Sequence, residues 1–313
     1  MNITPRLSKP TRPVLRWHGG KWKLAPWIIS HFPRHRVYVE PFGGAASVLL
    51  RKERSYAEVY NDLDEEAVNL FRVLQEPLKA ARLHRLLELT PFSRLEFELA
   101  YTPVENDDAI ERARRLIIRA FMGHGSDAHA AKASGFRANS NKSGSTPAHD
   151  WVNYPTALHK TVERLRGVVV ECRNAVDIMQ RHDGRETLHY VDPPYLPETR
   201  SWQKTGKGSG NYTHELSPDD HARLLELLKT LVGMVVLSGY PSPLYDDALP
   251  DWRRIEIGAH ADGALDRTEV IWINPACAAA LDREGKAFKQ RQLFEPPITS
   301  GDHQKPNAEI VRP

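Results

Sequence analysis

Cysteine is nearly absent from this chain of 313 residues, with only Cys172 and Cys277 present and far apart in sequence. Two such residues support neither a disulfide framework nor a zinc cluster. The 14 histidines are scattered without ligand spacing, so no metal is expected. No apolar run approaches the length of a membrane span. The N-terminus has no apolar signal core, only Pro5, Pro10 and Pro13 among basic residues, and a soluble, cytoplasmic protein is expected. Charge of one sign is not in large excess either. A net charge of +3 is too small to establish a nucleic-acid partner, so the placement of charge must carry that argument. What the chain does have is 41% hydrophobic content, enough for a large core, and its length predicts a main domain plus one insertion.

The chain is organised around Tyr190-Val191-Asp192-Pro193-Pro194-Tyr195-Leu196. Leu188, Tyr190 and Val191 read as the end of a buried strand. The two prolines stop it, because proline has no N–H for a ladder and restricts its neighbour. A carboxylate is left at the strand's carboxyl end. Asp192 and the Pro193 carbonyl can accept two hydrogen bonds from one amino group, while Tyr195 offers a flat face for stacking. Such a rim suits the exocyclic amine of a nucleobase, a poor nucleophile whose reactive geometry two acceptors would favour as positive charge develops. The plain alternative is a turn with a helix-capping aspartate.

Two stretches near the N-terminus bear on that choice. Trp17-His18-Gly19-Gly20-Lys21 places a glycine pair, which lets backbone approach a ligand closely, before an apolar-periodic segment through Leu24, Trp27 and Ile28. Val39-Glu40-Pro41-Phe42-Gly43-Gly44-Ala45-Ala46-Ser47 reads as a strand, a glycine turn and a helix start, the nucleotide-binding corner of an open α/β sheet. A second strand over 57–60 ends at Asn61-Asp62. An acid there, eighteen positions after Gly44, is placed to accept from ribose hydroxyls, with Asp64 as cap of the following helix.

Taken together and in this order, these motifs resemble the DNA adenine-N6 methyltransferases of the Dam type, which use S-adenosylmethionine; the resemblance runs with gaps from about Val14 to Pro275. It implies an α/β, Rossmann-like S-adenosylmethionine methyltransferase sheet with a mainly helical target-recognition insertion. The reaction implied is direct transfer of the methyl group to N6 of an adenine flipped out of double-stranded DNA. Asp192, Pro193, Pro194 and Tyr195 would be catalytic. Trp17, Lys21, Glu40, Pro41, Phe42, Gly43, Gly44, Asp62, Asn174 and Asp192 would hold the cofactor, Trp17 and Lys21 at its methionine end. Two positions depart from the family pattern. Ala46 stands where the second glycine of Phe-x-Gly-x-Gly is expected, and Asn174 stands where relatives commonly place an acid against the cofactor's adenine amine. A companion restriction endonuclease is compatible with the resemblance.

From 77 to 165 the alternation of strand and helix stops. Helical periodicity covers 78–89 and 109–121, the second carrying Arg112, Arg115 and Arg119 on a face that ordinarily would be solvated. The stretch 123–149 holds one acid, Asp127, against Lys132, Arg137 and Lys142, with asparagines, serines and glycines. A long polar loop of this kind is expected to read DNA through Arg137, Asn139 and Lys142, structureless loops of this length being uncommon unless functional. Arg16 is expected on the DNA side. The stretch 197–215, with Arg200, Lys204 and Tyr212 among glycines, suits a loop that grips phosphates. Beyond Gly167 a central strand is expected over 168–170, then a capped helix from Ser217 and a buried strand over 234–237. An antiparallel edge hairpin is expected over 253–257 and 269–273. The expected division is a catalytic domain over 1–76 and 166–290, a recognition insertion over 77–165 and a disordered tail over 291–313.

Three rivals stay open at this level. An RNA adenine methyltransferase more often begins its motif with Asn. A nicotinamide-dependent oxidoreductase would need Gly-x-Gly-x-x-Gly in the first turn. A DNA-binding protein without catalysis is compatible with Asn174 and Ala46 but leaves Asp192 to Tyr195 unexplained.

Overall fold

The computed structural model describes residues 9–124, 135–139, 144–199, 214–260 and 266–294. From the N-terminus, α1 (Ala25–Ser30) leads to β1 (Val37–Glu40), α2 (Ser47–Arg51), β2 (Ala57–Asn61) and α3 (Glu65–Gln75). The helices α4 (Pro77–Leu89), α5 (Arg94–Leu99), α6 (Ala109–Met122), α7 (Pro147–Val152) and α8 (Tyr154–Leu165) follow. The chain then returns to alternation with β3 (Val168–Glu171), α9 (Ala175–His182), β4 (Thr187–Val191) and α10 (Pro218–Thr230). It continues through β5 (Met234–Gly239), α11 (Pro243–Ala248), β6 (Arg253–His260), β7 (Asp266–Ile273) and α12 (Pro275–Phe294).

The seven strands form one sheet in the order β3-β2-β1-β4-β5-β7-β6. The first five are parallel, β7 runs antiparallel to β5, and β6 runs antiparallel to β7. Every residue of β4 and β5 is buried, as continuous apolar strands covered on both faces must be. Strand order reverses between β1 and β4, and in open α/β sheets that reversal opens a crevice at the strands' carboxyl ends. Glu40 and Asp192 stand at those two ends.

Two expectations change. The valine run over 168–170 is an edge strand rather than a central one, and Val169 is 48% exposed because β3 pairs on one side only. The arginine face of α6 is not solvated. Arg112 pairs with Glu66 at 2.7 Å and Arg115 with Glu111 at 2.7 Å, while Arg119 donates to the Ala100 carbonyl at 2.8 Å. Those guanidinium groups hold α6 to α3 and to the end of α5.

The α4–α8 region has no core of its own. Leu116, Ile117, Phe121, Trp151, Tyr154 and Leu165 belong to one hydrophobic cluster with Tyr60, Phe71 and Leu74. A buried ion cluster joins the same parts. Arg164 of α8 donates to both carboxylate oxygens of Glu58 in β2, at 2.6 and 2.9 Å, and to the Leu49 carbonyl at 2.6 Å. Lys52 reaches Glu58 at 2.6 Å, and burial pulls its ammonium down to about 8. Charges this far from water persist only when paired.

Candidate functional site

The turn after β1 is built by close backbone approach. The Gly43 N–H donates to the Asn61 carbonyl at 2.8 Å, and the Tyr60 hydroxyl donates to the Gly44 carbonyl at 2.8 Å. A Cβ at Gly43 would lie 2.2 Å from the Tyr60 ring, so no side chain fits there. Gly44 has φ 48° and Ala46 φ 53°. The position where the family pattern calls for a second glycine is therefore left-handed, at a cost of about 1 kcal/mol for alanine.

Asp62 is fixed beside this turn. Its carboxylate accepts from the Gly44 N–H at 2.7 Å and the Asp64 N–H at 2.8 Å. Burial nevertheless pushes its carboxyl above the usual carboxylate range. Asp64 caps α3, accepting from the Glu66 and Ala67 N–H groups. Glu40 is buried and accepts from the Tyr38 hydroxyl at 2.7 Å and the Leu49 N–H at 3.0 Å. Burial raises its carboxyl to about 8, and the nearby charge of Asp192 acts in the same direction.

Asp192 is gripped on both oxygens. Lys21 lies 2.9 Å from Oδ2, and the Ser238 hydroxyl lies 2.7 Å from Oδ1. Lys21 is 5% exposed, also donates to the Gly19 carbonyl at 2.7 Å, and sits 4.6 Å over the Tyr195 ring. Its ammonium is thus turned to the Asp192-Tyr195 rim. Tyr195 is 5% exposed, meets Tyr240 edge-on at 4.5 Å and donates to Glu269 at 2.9 Å.

One cleft of about 930 Å3, part of it open to solvent, brings these groups together. Of the residues expected to hold a cofactor, Trp17, Lys21, Glu40, Pro41, Phe42, Gly43, Gly44, Asp62 and Asp192 line it, as does Pro194. Pro193 and Tyr195 are buried behind that lining. Asn174 is outside it: its side chain caps α9, accepting from the Val176 N–H at 2.9 Å, and the neighbouring Ala175 reaches the cleft instead. Ser238, Glu269 and Tyr240 had no local signature in the sequence, since only strand pairing carries β5 and β7 to the end of β4. His214 and Leu216 line the cleft as well, and nothing in their spacing announced it.

The residues expected to meet DNA are less completely placed. Arg137 is half-buried, its side chain donating to the Phe121 carbonyl at 3.1 Å and its N–H to the Met122 carbonyl at 2.8 Å. Burial, and then the neighbouring Arg16, lower its guanidinium from the ordinary value. Arg16 has a buried Nη1 with no hydrogen-bond partner among the described residues. Asn139 is exposed. Lys142, Arg200, Lys204 and Tyr212 lie outside the described residues.

The Gly43-Gly44 turn and Asp62 on one side of the topological switch point, with Asp192 on the other, belong to an α/β protein whose cleft opens where such sheets bind their ligands. The family itself is narrower. Over residues 17–257 the chain belongs to the D12 class N6 adenine-specific DNA methyltransferases. It is 25% identical over 300 residues to the DNA adenine methylase of Salmonella typhimurium, covering 93% of this chain and 98% of that protein. The DNA adenine methylase of Escherichia coli (strain K12) is 25% identical over 229 residues, covering 72% and 78% respectively. The Vibrio cholerae DNA adenine methylase (strain ATCC 39541) is 25% identical over 224 residues, covering 70% and 76%.

Proposed function

We propose that this protein transfers a methyl group from S-adenosylmethionine to N6 of an adenine extruded from double-stranded DNA. The observation that carries the reading is the single cleft in which the Gly43-Gly44 turn and Asp62 face Asp192. The residues present fit the methyl donor. Asp62, held by two backbone donors, keeps lone pairs for ribose hydroxyls, and Trp17 and Phe42 offer apolar faces. Glu40 and Asp192 add carboxyl oxygens to the same cleft, a lining suited to a sulfonium. When bound, that donor supplies an electrophilic methyl on a positively charged sulfur. Asp192 and the Pro193 carbonyl would hold the two amine hydrogens of the target base, favouring a pyramidal nitrogen as positive charge grows. No proton need leave before attack, so no residue needs to act as a strong base. The target amine is inaccessible within the stack, and extrusion of the base costs a few kcal/mol. Residues 1–76 and 166–290 would form the catalytic part and 77–165 the part that addresses DNA through Arg137 and Asn139, with Arg16 joining them from the catalytic part.

Incubation with methyl-labelled S-adenosylmethionine and unmethylated duplex DNA, followed by nucleoside mass spectrometry, tests the reading. N6-methyladenine is expected. Label in cytosine, label only when RNA replaces DNA, or no label at all would sink it.

A further inference from the structure

We propose that Ser238, near the end of β5, is the positioning residue that fixes the Asp192 carboxylate, through a hydrogen-bond chain beginning at the Tyr190 hydroxyl. The inference rests on the methyl-transfer reading above. The parallel register pairs Tyr190 with Val236 and Val191 with Leu237, and the next rung sets Asp192 beside Ser238. Ser238 is 2% exposed, and its Oγ lies 2.7 Å from Asp192 Oδ1 and 3.1 Å from the Tyr190 hydroxyl. Proton accounting gives this chain a direction. An ionised carboxylate only accepts, so the one Ser238 proton goes to Asp192, and Tyr190 must donate to Ser238. Burial, and then the charge of Asp192, push the Tyr190 phenol well above its ordinary value, which keeps that donor proton in place.

The consequence is that the two oxygens of Asp192 are distinguished. Oδ1 is committed to the sheet, and Oδ2, which meets Lys21, is the oxygen left on the cleft side. Without Ser238 the carboxylate keeps the Lys21 contact at Oδ2 but can pivot about it, so the angle at which it meets an amine is no longer set from both sides. Misplacement of a reacting contact by about 1 Å can cost up to a hundredfold in rate.

A merely structural hydrogen bond between β4 and β5 would predict something else: a lower melting temperature with the turnover of the folded enzyme intact. The test is steady-state and single-turnover methylation of an adenine-containing duplex by wild type, Ser238→Ala, Ser238→Thr, Tyr190→Phe and Asp192→Ala. For Ser238→Ala, kcat should fall about tenfold or more. Its KM for DNA and its affinity for S-adenosylhomocysteine should stay within about twofold of wild type, since neither contact is removed. Ser238→Thr, which keeps the hydroxyl, should recover most of the rate, and Tyr190→Phe should fall between. Unchanged kcat in Ser238→Ala, or equal losses in the alanine and threonine variants, overturns the proposal. Should Ser238→Ala not fold, Tyr190→Phe carries the test by the same kcat criterion. Wild type that transfers no methyl group sinks the underlying reading instead, so the two failures are distinguishable.

Discussion

Burial of Glu40 outweighs the two donors aimed at one of its oxygens, which by themselves would favour the ionised form, so its protonation differs strongly between folded and unfolded chain. Its folded carboxyl titrates at about 8, against an ordinary value of 4.5. A raised folded value means that its contribution to stability is fully present below about pH 4.5. That contribution is lost as pH rises toward 8, because the unfolded chain ionises first. Glu40→Gln removes the titration and keeps an acceptor for Tyr38 and Leu49. Thermal unfolding across pH 5 to 8.5 should show the variant gaining on wild type as pH rises; parallel curves would refute the assignment. Asp192→Ala should lower methyl transfer about a hundredfold or more while DNA affinity is kept, because the carboxylate acts where charge develops. Its melting temperature should also fall, since Lys21 is 5% exposed and loses the carboxylate that lies 2.9 Å from its ammonium. Electrophoretic mobility shift separates the two effects, and retained turnover disqualifies the site.

The element that carries the DNA question is the short bridge between Gly123 and Phe136, which brings Arg137 back against the end of α6. A guanidinium anchored to the Phe121 carbonyl keeps its remaining donors in a fixed plane, which suits a guanine edge better than a mobile phosphate contact. Arg137→Ala should cost about 1–3 kcal/mol and relax preference at one base pair. Methylation rates on single-substituted duplexes check this, and a uniform loss across the set would assign Arg137 to phosphate. Elements of this kind also show what the sequence could carry. The Gly43-Gly44 turn and the Asp192-Pro193-Pro194 rim were legible because their chemistry is local: a glycine where no Cβ fits, prolines that end a ladder. The arginines of α6 misled because Arg112 and Arg119 find partners outside their own helix, Glu66 on α3 and the Ala100 carbonyl just past α5. The place of β3 at the sheet edge misled because an apolar run does not reveal how many neighbours a strand has. Neither Ser238 nor Glu269 could be found without the pairing of β5 with β4 and β7.

At the scale of the whole molecule, a ligand that binds only the folded chain raises its stability by mass action, about 2.7 kcal/mol at a hundredfold excess over Kd. S-adenosylhomocysteine should therefore raise the melting temperature and NAD should not; the reverse pattern would point to the oxidoreductase. Arg164→Ala should destabilise the chain by about 3–5 kcal/mol in urea unfolding, because Glu58 would be left buried with only Lys52 beside it. A loss below about 1 kcal/mol would show that the cluster is not a determinant of stability. The same cluster sets where specificity can be exchanged between relatives. A graft that carried residues 77–165 into another methylase would take Arg164 with it, away from the Glu58 carboxylate it neutralises. Gly123 at the end of α6 and Thr146 at the cap of α7, by contrast, are not members of that network. On the reading proposed above, recognition would diversify by exchange of the residues between 123 and 146 while α6 and α7 stay with their sheet, and chimeras cut at 123 and 146 should fold where those cut at 77 and 165 do not.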